Sequence, residues 1–180
     1  MICVLRPSGD FLYVDDSLND TIDAFAVDQT TGALTPLSGS PFRATGKDLS
    51  VAVDPLGRYL FTGNWFLANI SVFSIGSSGT LAPVPGSPFF TPFNTHNDPG
   101  GGLVVASDPS GHFLYATAGQ HNEVIGYTID QSTGSLAQIP GTPLPTGGHP
   151  FGLIVSPWLE VLTKLLNHSR WFRRGFALLS

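Results

Sequence analysis

Asp108-Pro-Ser-Gly-His-Phe-Leu-Tyr115 is the third appearance of one phrase in this chain, after Pro7-Ser-Gly-Asp-Phe-Leu-Tyr13 and Asp54-Pro-Leu-Gly-Arg-Tyr-Leu-Phe61. The prolines that head the copies, Pro7, Pro55 and Pro109, lie 48 and 54 residues apart. A period of that size marks a repeat array, and it outranks any local reading of the chain. Before each turn stands a short apolar stretch: Ile2–Leu5, Ser50–Val53, Leu103–Ala106 and Gly152–Val155. After it comes an aromatic-rich strand over 11–14, 59–62 and 113–116. A third strand alternates apolar and polar residues in Thr21–Val27, Asn69–Ile75 and Glu123–Ile129, the period of two expected of a half-buried strand.

The third strand runs into Asp28-Gln-Thr-Thr-Gly-Ala-Leu34, Gly76-Ser-Ser-Gly-Thr-Leu81 and Asp130-Gln-Ser-Thr-Gly-Ser-Leu136. Asp there accepts from the backbone ahead of it and Gly supplies a positive φ, so each reads as a hairpin loop. A proline-rich stretch closes each unit (Pro36–Phe42, Pro83–Phe89, Ile139–Leu144) and is read as an edge strand, where no ladder donor is lost. Four antiparallel strands repeated in this way make a β-propeller blade. The fold class expected is therefore all-β, a partial propeller of about three four-stranded blades. The units are 1–49, 50–102 and 103–151, with the first strand of a fourth at 152–156.

Composition agrees. The 21 glycines and 15 prolines, against 12% charged residues, suit short strands and tight turns rather than helices. The formal net charge of −5 argues against a nucleic-acid partner. Cys3 stands alone, so no intramolecular disulfide forms. No run approaches the length of about 20 apolar residues that spans a bilayer. No leader is read after Met1, which leans toward the cytoplasm without fixing the compartment. No zinc spacing, phosphate loop or Gly-x-Ser-x-Gly elbow occurs, so no metal and no cofactor are expected.

Residues 157–180 depart from this pattern. They carry four basic groups against Glu160, whereas 1–156 carry four basic groups against twelve acidic ones. Leu159, Leu162, Leu165 and Leu166 have the spacing of an amphipathic helix. The tail reads either as a capping helix or as the product of a shifted frame or truncation.

The succession DPSGxFLY, Asp-x-x-Thr-Gly-x-Leu and Gly-Ser-Pro-Phe resembles the seven-bladed propeller lactonases, the 6-phosphogluconolactonase-like proteins. The resemblance covers roughly residues 1–156 and rests on turn and packing residues. It implies a carboxylic ester hydrolase acting on a sugar lactone. A chain with three blades is then an incomplete copy, expected to be inactive alone and open to self-association through its blade edges. Two alternatives stand beside that reading: a non-catalytic module for a protein or surface ligand, and a truncated product without independent function.

Blade geometry sorts the loops. The first-to-second and third-to-fourth turns share one rim, and the second-to-third turns and inter-blade crossings share the other, the usual ligand face. His112 falls on the former, as a solvated turn residue. On the latter, a lactonase needs a base to activate water, cations to hold an anionic substrate and a donor for the oxyanion. His96 and His149 are the candidate bases. Arg43, Lys47, Asp98 and His121 are the candidate substrate contacts. The insert Phe90–Gly102, which accounts for the longer repeat spacing, is the foremost loop candidate.

Overall fold

The computed structural model describes residues 2–44, 48–95, 98–99, 102–153 and 155. Three antiparallel sheets follow one another along the chain. The first blade holds β1 (Cys3–Leu5), β2 (Phe11–Asp16), β3 (Thr21–Val27), β4 (Leu34–Pro36) and β5 (Phe42–Arg43). The second holds β6 (Asp48–Val53), β7 (Tyr59–Asn64), β8 (Asn69–Ile75), β9 (Leu81–Pro83) and β10 (Phe89–Phe90). A small hairpin of β11 (Asn94–Thr95) and β12 (Asp98–Pro99) comes next. The third blade holds β13 (Leu103–Ser107), β14 (Phe113–Ala118), β15 (Glu123–Ile129), β16 (Leu136–Gln138) and β17 (Leu144–Pro145).

The expected single fourth strand is two strands. β4 pairs with Val27, Ala26 and Phe25 of β3, whereas β5 pairs with Ile22 and Thr21. Between them the Gly-Ser-Pro turn lifts the chain away, and Ser40 Oγ accepts the Ala24 N–H at 2.9 Å in place of a strand carbonyl. Ser87 does the same for Val72 N–H at 2.9 Å. The proline-rich motif thus spares the ladder by leaving it, with a serine hydroxyl satisfying the exposed donor. Residues 151–153 and 155 carry no strand. The remainder of the expected fourth-blade start, and the expected helical tail, lie outside the described residues. Among the described residues no helix is long and apolar enough to cross a membrane.

Two apolar clusters lie between consecutive blades. Tyr13, Ile22 and Ala24 of the first blade meet Val51, Leu60 and Phe73 of the second. Phe61, Ile70 and Val72 of the second meet Leu103, Leu114 and Ile125 of the third. Residues of β2 therefore alternate, Tyr13 facing the following blade and Leu12 turned away from it.

The same device locks both interfaces at the first rim. The aromatic that opens the second strand slides under the glycine of the next blade's third-to-fourth turn. A Cβ on Gly79 would lie 2.6 Å from the Phe11 ring, and one on Gly134 would lie 2.6 Å from the Tyr59 ring. Tyr13 Oη also donates to Gly79 O at 2.9 Å. These turns need positive φ as well, +81° at Gly79 and +76° at Gly134, so glycine answers both demands.

Candidate functional site at the loop rim

Strand register fixes which loops share a rim. Leu5 pairs with Leu12, and Val27 with Leu34, so the β1–β2 and β3–β4 turns lie at one end. Asp16 pairs with Thr21, and Thr21 with Arg43, so the β2–β3 turn and the crossing to β6 lie at the other. His112 sits exposed at the first end, its Nδ1 3.1 Å from Ser110 Oγ, as the sequence reading expects.

At the second end each blade fastens its crossing in one way. Asp20, Ala68 and Asn122 adopt left-handed backbone, with φ of 57°, 44° and 57°. The carbonyl of each accepts a backbone N–H from the departing chain: Ala44 at 2.9 Å, Thr91 at 3.0 Å and Thr146 at 2.7 Å. Non-glycine residues in this region are uncommon and costly, so the surroundings must impose it.

His149 is built on that clamp. Its backbone N–H donates to Asn122 Oδ1 at 2.6 Å, and its own φ is 49°. Its ring is stacked beside Phe151, with centroids 6.0 Å apart and planes 6° apart. The imidazole is exposed on the second rim, with its backbone N–H held by Asn122. Asn122, which the sequence reading did not single out, thus holds the His149 backbone through a side-chain acceptor and a left-handed φ. An Asn beside a His in a loop is the only signal it leaves in the sequence.

His121, one residue earlier, has another task. Its ring lies flat on Phe93, with centroids 4.1 Å apart and planes 10° apart, and its Nε2 is buried. Phe93 belongs to the 90–102 insert, so this stack pins the insert to the third blade. Thr91 Oγ1 donates to Ala68 O at 2.7 Å and fixes the first residues of the insert. Asp98 is placed in β12, opposite Thr95. His96 and Lys47 lie outside the described residues. Arg43 ends β5 on the first blade, exposed, while His121 and His149 belong to the third. Among the described residues, the structure brings His121 and His149 to one loop cluster about Asn122, and no hydrogen bond joins Arg43 to it.

The two adjacent carboxylates of the first blade's acidic loop, Asp15 and Asp16, point different ways. Asp16 turns back on its own loop, its carboxylate accepting Leu18 N–H at 3.1 Å and Asn19 Nδ2 at 2.7 Å. Asp15 points the opposite way, on the Tyr13 face, and is 1% exposed with Oδ1 accepting no hydrogen bond among the described residues. On the face of the second blade that Leu60 and Phe73 turn toward the first blade lie the buried Thr62, Asn64, Asn69 and Ser71. Asn64 Nδ2 donates to Asn69 Oδ1 and, at 3.1 Å, to Ser71 Oγ. Three of the four corresponding positions of the third blade, Ala116, Ala118 and Ile125, are apolar, and the fourth is Glu123. Burial, with smaller contributions from Asp16 and Asp20, raises the Asp15 carboxyl to about 6 from 3.8.

That shift has a definite sign. Between these two values the native chain holds a proton that the unfolded chain has released, so stability falls as pH rises from about 4 through about 6. Two pKa units correspond to about 3 kcal/mol. Asp15→Asn is expected to abolish that slope, seen as denaturation midpoints that run flat between these pH values. A variant with the wild-type slope would place the titration elsewhere.

Residues 4–150 match the family described as Lactonase, 7-bladed beta-propeller. The chain is 24% identical over 159 residues to the 6-phosphogluconolactonase of Serratia proteamaculans, covering 86% of this chain and 43% of that protein. It is 25% identical over 136 residues to the 6-phosphogluconolactonase of Pectobacterium carotovorum, covering 73% and 39%. A solved structure of a putative 6-phosphogluconolactonase from Bacteroides uniformis aligns with TM-score 0.73 at 18% identity, over 86% of this chain and 43% of that one. The periplasmic gluconolactonase of Pseudomonas aeruginosa aligns with TM-score 0.66 at 19% identity, over 86% and 42%. Such identities establish the fold. The chain spans about two fifths of the length of these relatives, 43% of the first, in keeping with three blades where the family description gives seven. With the family matched over most of its length and the blades in place, the chain belongs to the seven-bladed β-propeller lactonases.

Proposed function

We propose that these blades carry part of the ligand rim of a sugar-lactone hydrolase, with His149 as the base that activates water. The observation that carries this reading is the Asn122 clamp, which holds an exposed imidazole in left-handed backbone on the rim where the crossings converge. Strained backbone of this kind collects at sites where geometry must be fixed in advance. Family membership supplies the substrate class, since relatives bear the names 6-phosphogluconolactonase and gluconolactonase.

In the proposed step His149 takes a proton from water as its oxygen adds to the lactone carbonyl. Collapse of that adduct breaks the ring C–O bond, and the proton passes to the departing ring oxygen, giving the open hydroxy acid. Arg43 and Lys47 are proposed to hold the substrate anion, and His96 to be the alternative base. Asp98 and His121 are proposed to line the approach, His121 through its stacked ring. Because the seven-bladed set exceeds this chain, the test is binding first: titration with 6-phosphogluconate, read by the imidazole resonances. The His149 imidazole signals are expected to shift to saturation, and His149→Ala to lose the response. Where turnover exceeds the spontaneous rate, His149→Ala is expected to cost about 100-fold in kcat/KM or more. Resonances that stay put under saturating ligand would overturn the proposal.

A further inference from the structure

Trp65 departs from the pattern of its own repeat. It is the first residue after β7, and the residues in that place after β2 and β14 are Ser17 and Gly119. Blade packing therefore does not call for an aromatic ring at this point. Gly102 is a second departure, since it stands ahead of Leu103 where Asp48 stands ahead of Leu49 one blade earlier.

The two departures fit each other. A Cβ on Gly102 would lie 2.8 Å from Trp65 Cζ3 and 3.2 Å from Cε3, so a glycine there lets the six-membered ring of the indole settle on the chain. Gly102 is buried with φ of +68°, and its carbonyl accepts Gly119 N–H at 3.2 Å. Trp65 itself is half-buried. The first strands of the second and third blades touch across the seam, Ser50 Oγ donating to Leu103 O at 3.0 Å, and in a propeller it is these strands that surround the central channel. Trp65 thus reaches from the second strand of its blade to the head of the first strand of the next, on the inner side of the rim. The loop that Gly102 holds through Gly119 runs on to Asn122, whose side chain accepts the His149 N–H.

We propose that Trp65 is a stacking platform for the sugar ring of the substrate, a specificity residue that selects the closed ring over the open chain. The proposal rests on the sugar-lactone reading for its substrate class. A closed sugar ring gathers C–H bonds on one face, and the negative face of an indole attracts their positive ends while excluding water. The open hydroxy acid has no such face, so the platform holds the lactone and releases the product. Pockets of this kind pair an aromatic wall with a few polar groups that orient the ligand.

The experiment is saturation-transfer NMR on the 180-residue chain. The probes are glucose 6-phosphate, a closed ring, and glucitol 6-phosphate, an open chain of equal charge. The ring C–H protons of glucose 6-phosphate are expected to take up saturation and move upfield, a signature that a packing role for Trp65 would not give. The open chain is expected to bind about tenfold more weakly. Trp65→Ala is expected to abolish the upfield shift, Trp65→Phe to keep part of it, and Gly102→Ala, which lifts the indole from its seat, to weaken binding by about tenfold. Wild-type chain with no upfield shift, a shift that survives Trp65→Ala, or equal affinity for the two probes would each overturn the proposal. The readout is on the sugar and needs no turnover. Upfield sugar protons beside an unresponsive His149 imidazole would therefore remove the base and support the platform.

Discussion

Gly63→Ala is expected to be the most destabilising single methyl in this chain. A Cβ there would stand 2.3 Å from the Leu103 carbonyl oxygen and 2.9 Å from Ser50 Oγ. Neither neighbour has room to give. The Leu103 carbonyl is backbone of β13 and already accepts the Ser50 hydroxyl at 3.0 Å, while Ser50 Oγ accepts Val105 N–H at 3.0 Å. Relief requires the third blade to back away from the second, opening the layer of Phe61, Ile70, Leu103, Leu114 and Ile125. Overpacking of this kind costs about 3 kcal/mol, which for a chain of this size lowers the thermal midpoint by about 6–12 °C. Gly147→Ala, where a Cβ meets nothing within 4 Å, should stay within about 0.5 kcal/mol of wild type. Equal midpoints for the two variants would mean that the blades do not approach at Gly63.

Asp54→Ala is expected to cost nearly as much through hydrogen bonding. The Asp54 carboxylate is 0% exposed. It accepts the backbone N–H of Arg58 and, at 2.8 Å, that of Tyr59, and it pairs with the Arg58 guanidinium at 2.9 Å. Arg58 in turn crosses to the third blade, donating to Gln131 Oε1 at 2.8 Å and Gln131 O at 3.2 Å. Truncation therefore strands two backbone donors and loosens an inter-blade strap, together about 3 kcal/mol. Asp108 occupies the same turn in the third blade and accepts Phe113 N–H at 2.8 Å, but it is half-buried and has no arginine. Asp108→Ala is expected to cost about 1 kcal/mol, in the range of an exposed cap. Urea titration of the pair measures the difference, and parity between them would remove the inter-blade strap from the account.

The blades were legible because their chemistry repeats in the chain itself. The third strands span the residues that alternation marks, since Ile22, Ala24 and their counterparts must face the neighbouring blade. The second strands run two residues further than the apolar pattern. Asp15-Asp16, Gly63-Asn64 and Thr117-Ala118 carry the ladder to the rim after the hydrophobic signal has ended. The split fourth strand was hidden for a related reason: proline announces an edge but not a departure from the sheet. The site was less legible. His149 is visible by type, but Asn122 acts through a left-handed backbone that no composition reveals. His121, chosen for its imidazole, serves as an aromatic slab for Phe93.

The left-handed clamps at Asp20, Ala68 and Asn122 also bear on how such proteins diversify. Each blade finishes its own hydrogen bonding before the chain sets off for the next, so the length of the journey is uncoupled from the alignment of the blades. The 90–102 segment shows the consequence, a detour accommodated without displacing β13 from its seat on β6. Loop grafting onto this scaffold should therefore be confined to the stretch after each clamp, where new specificities can be tried while the frame stays in register.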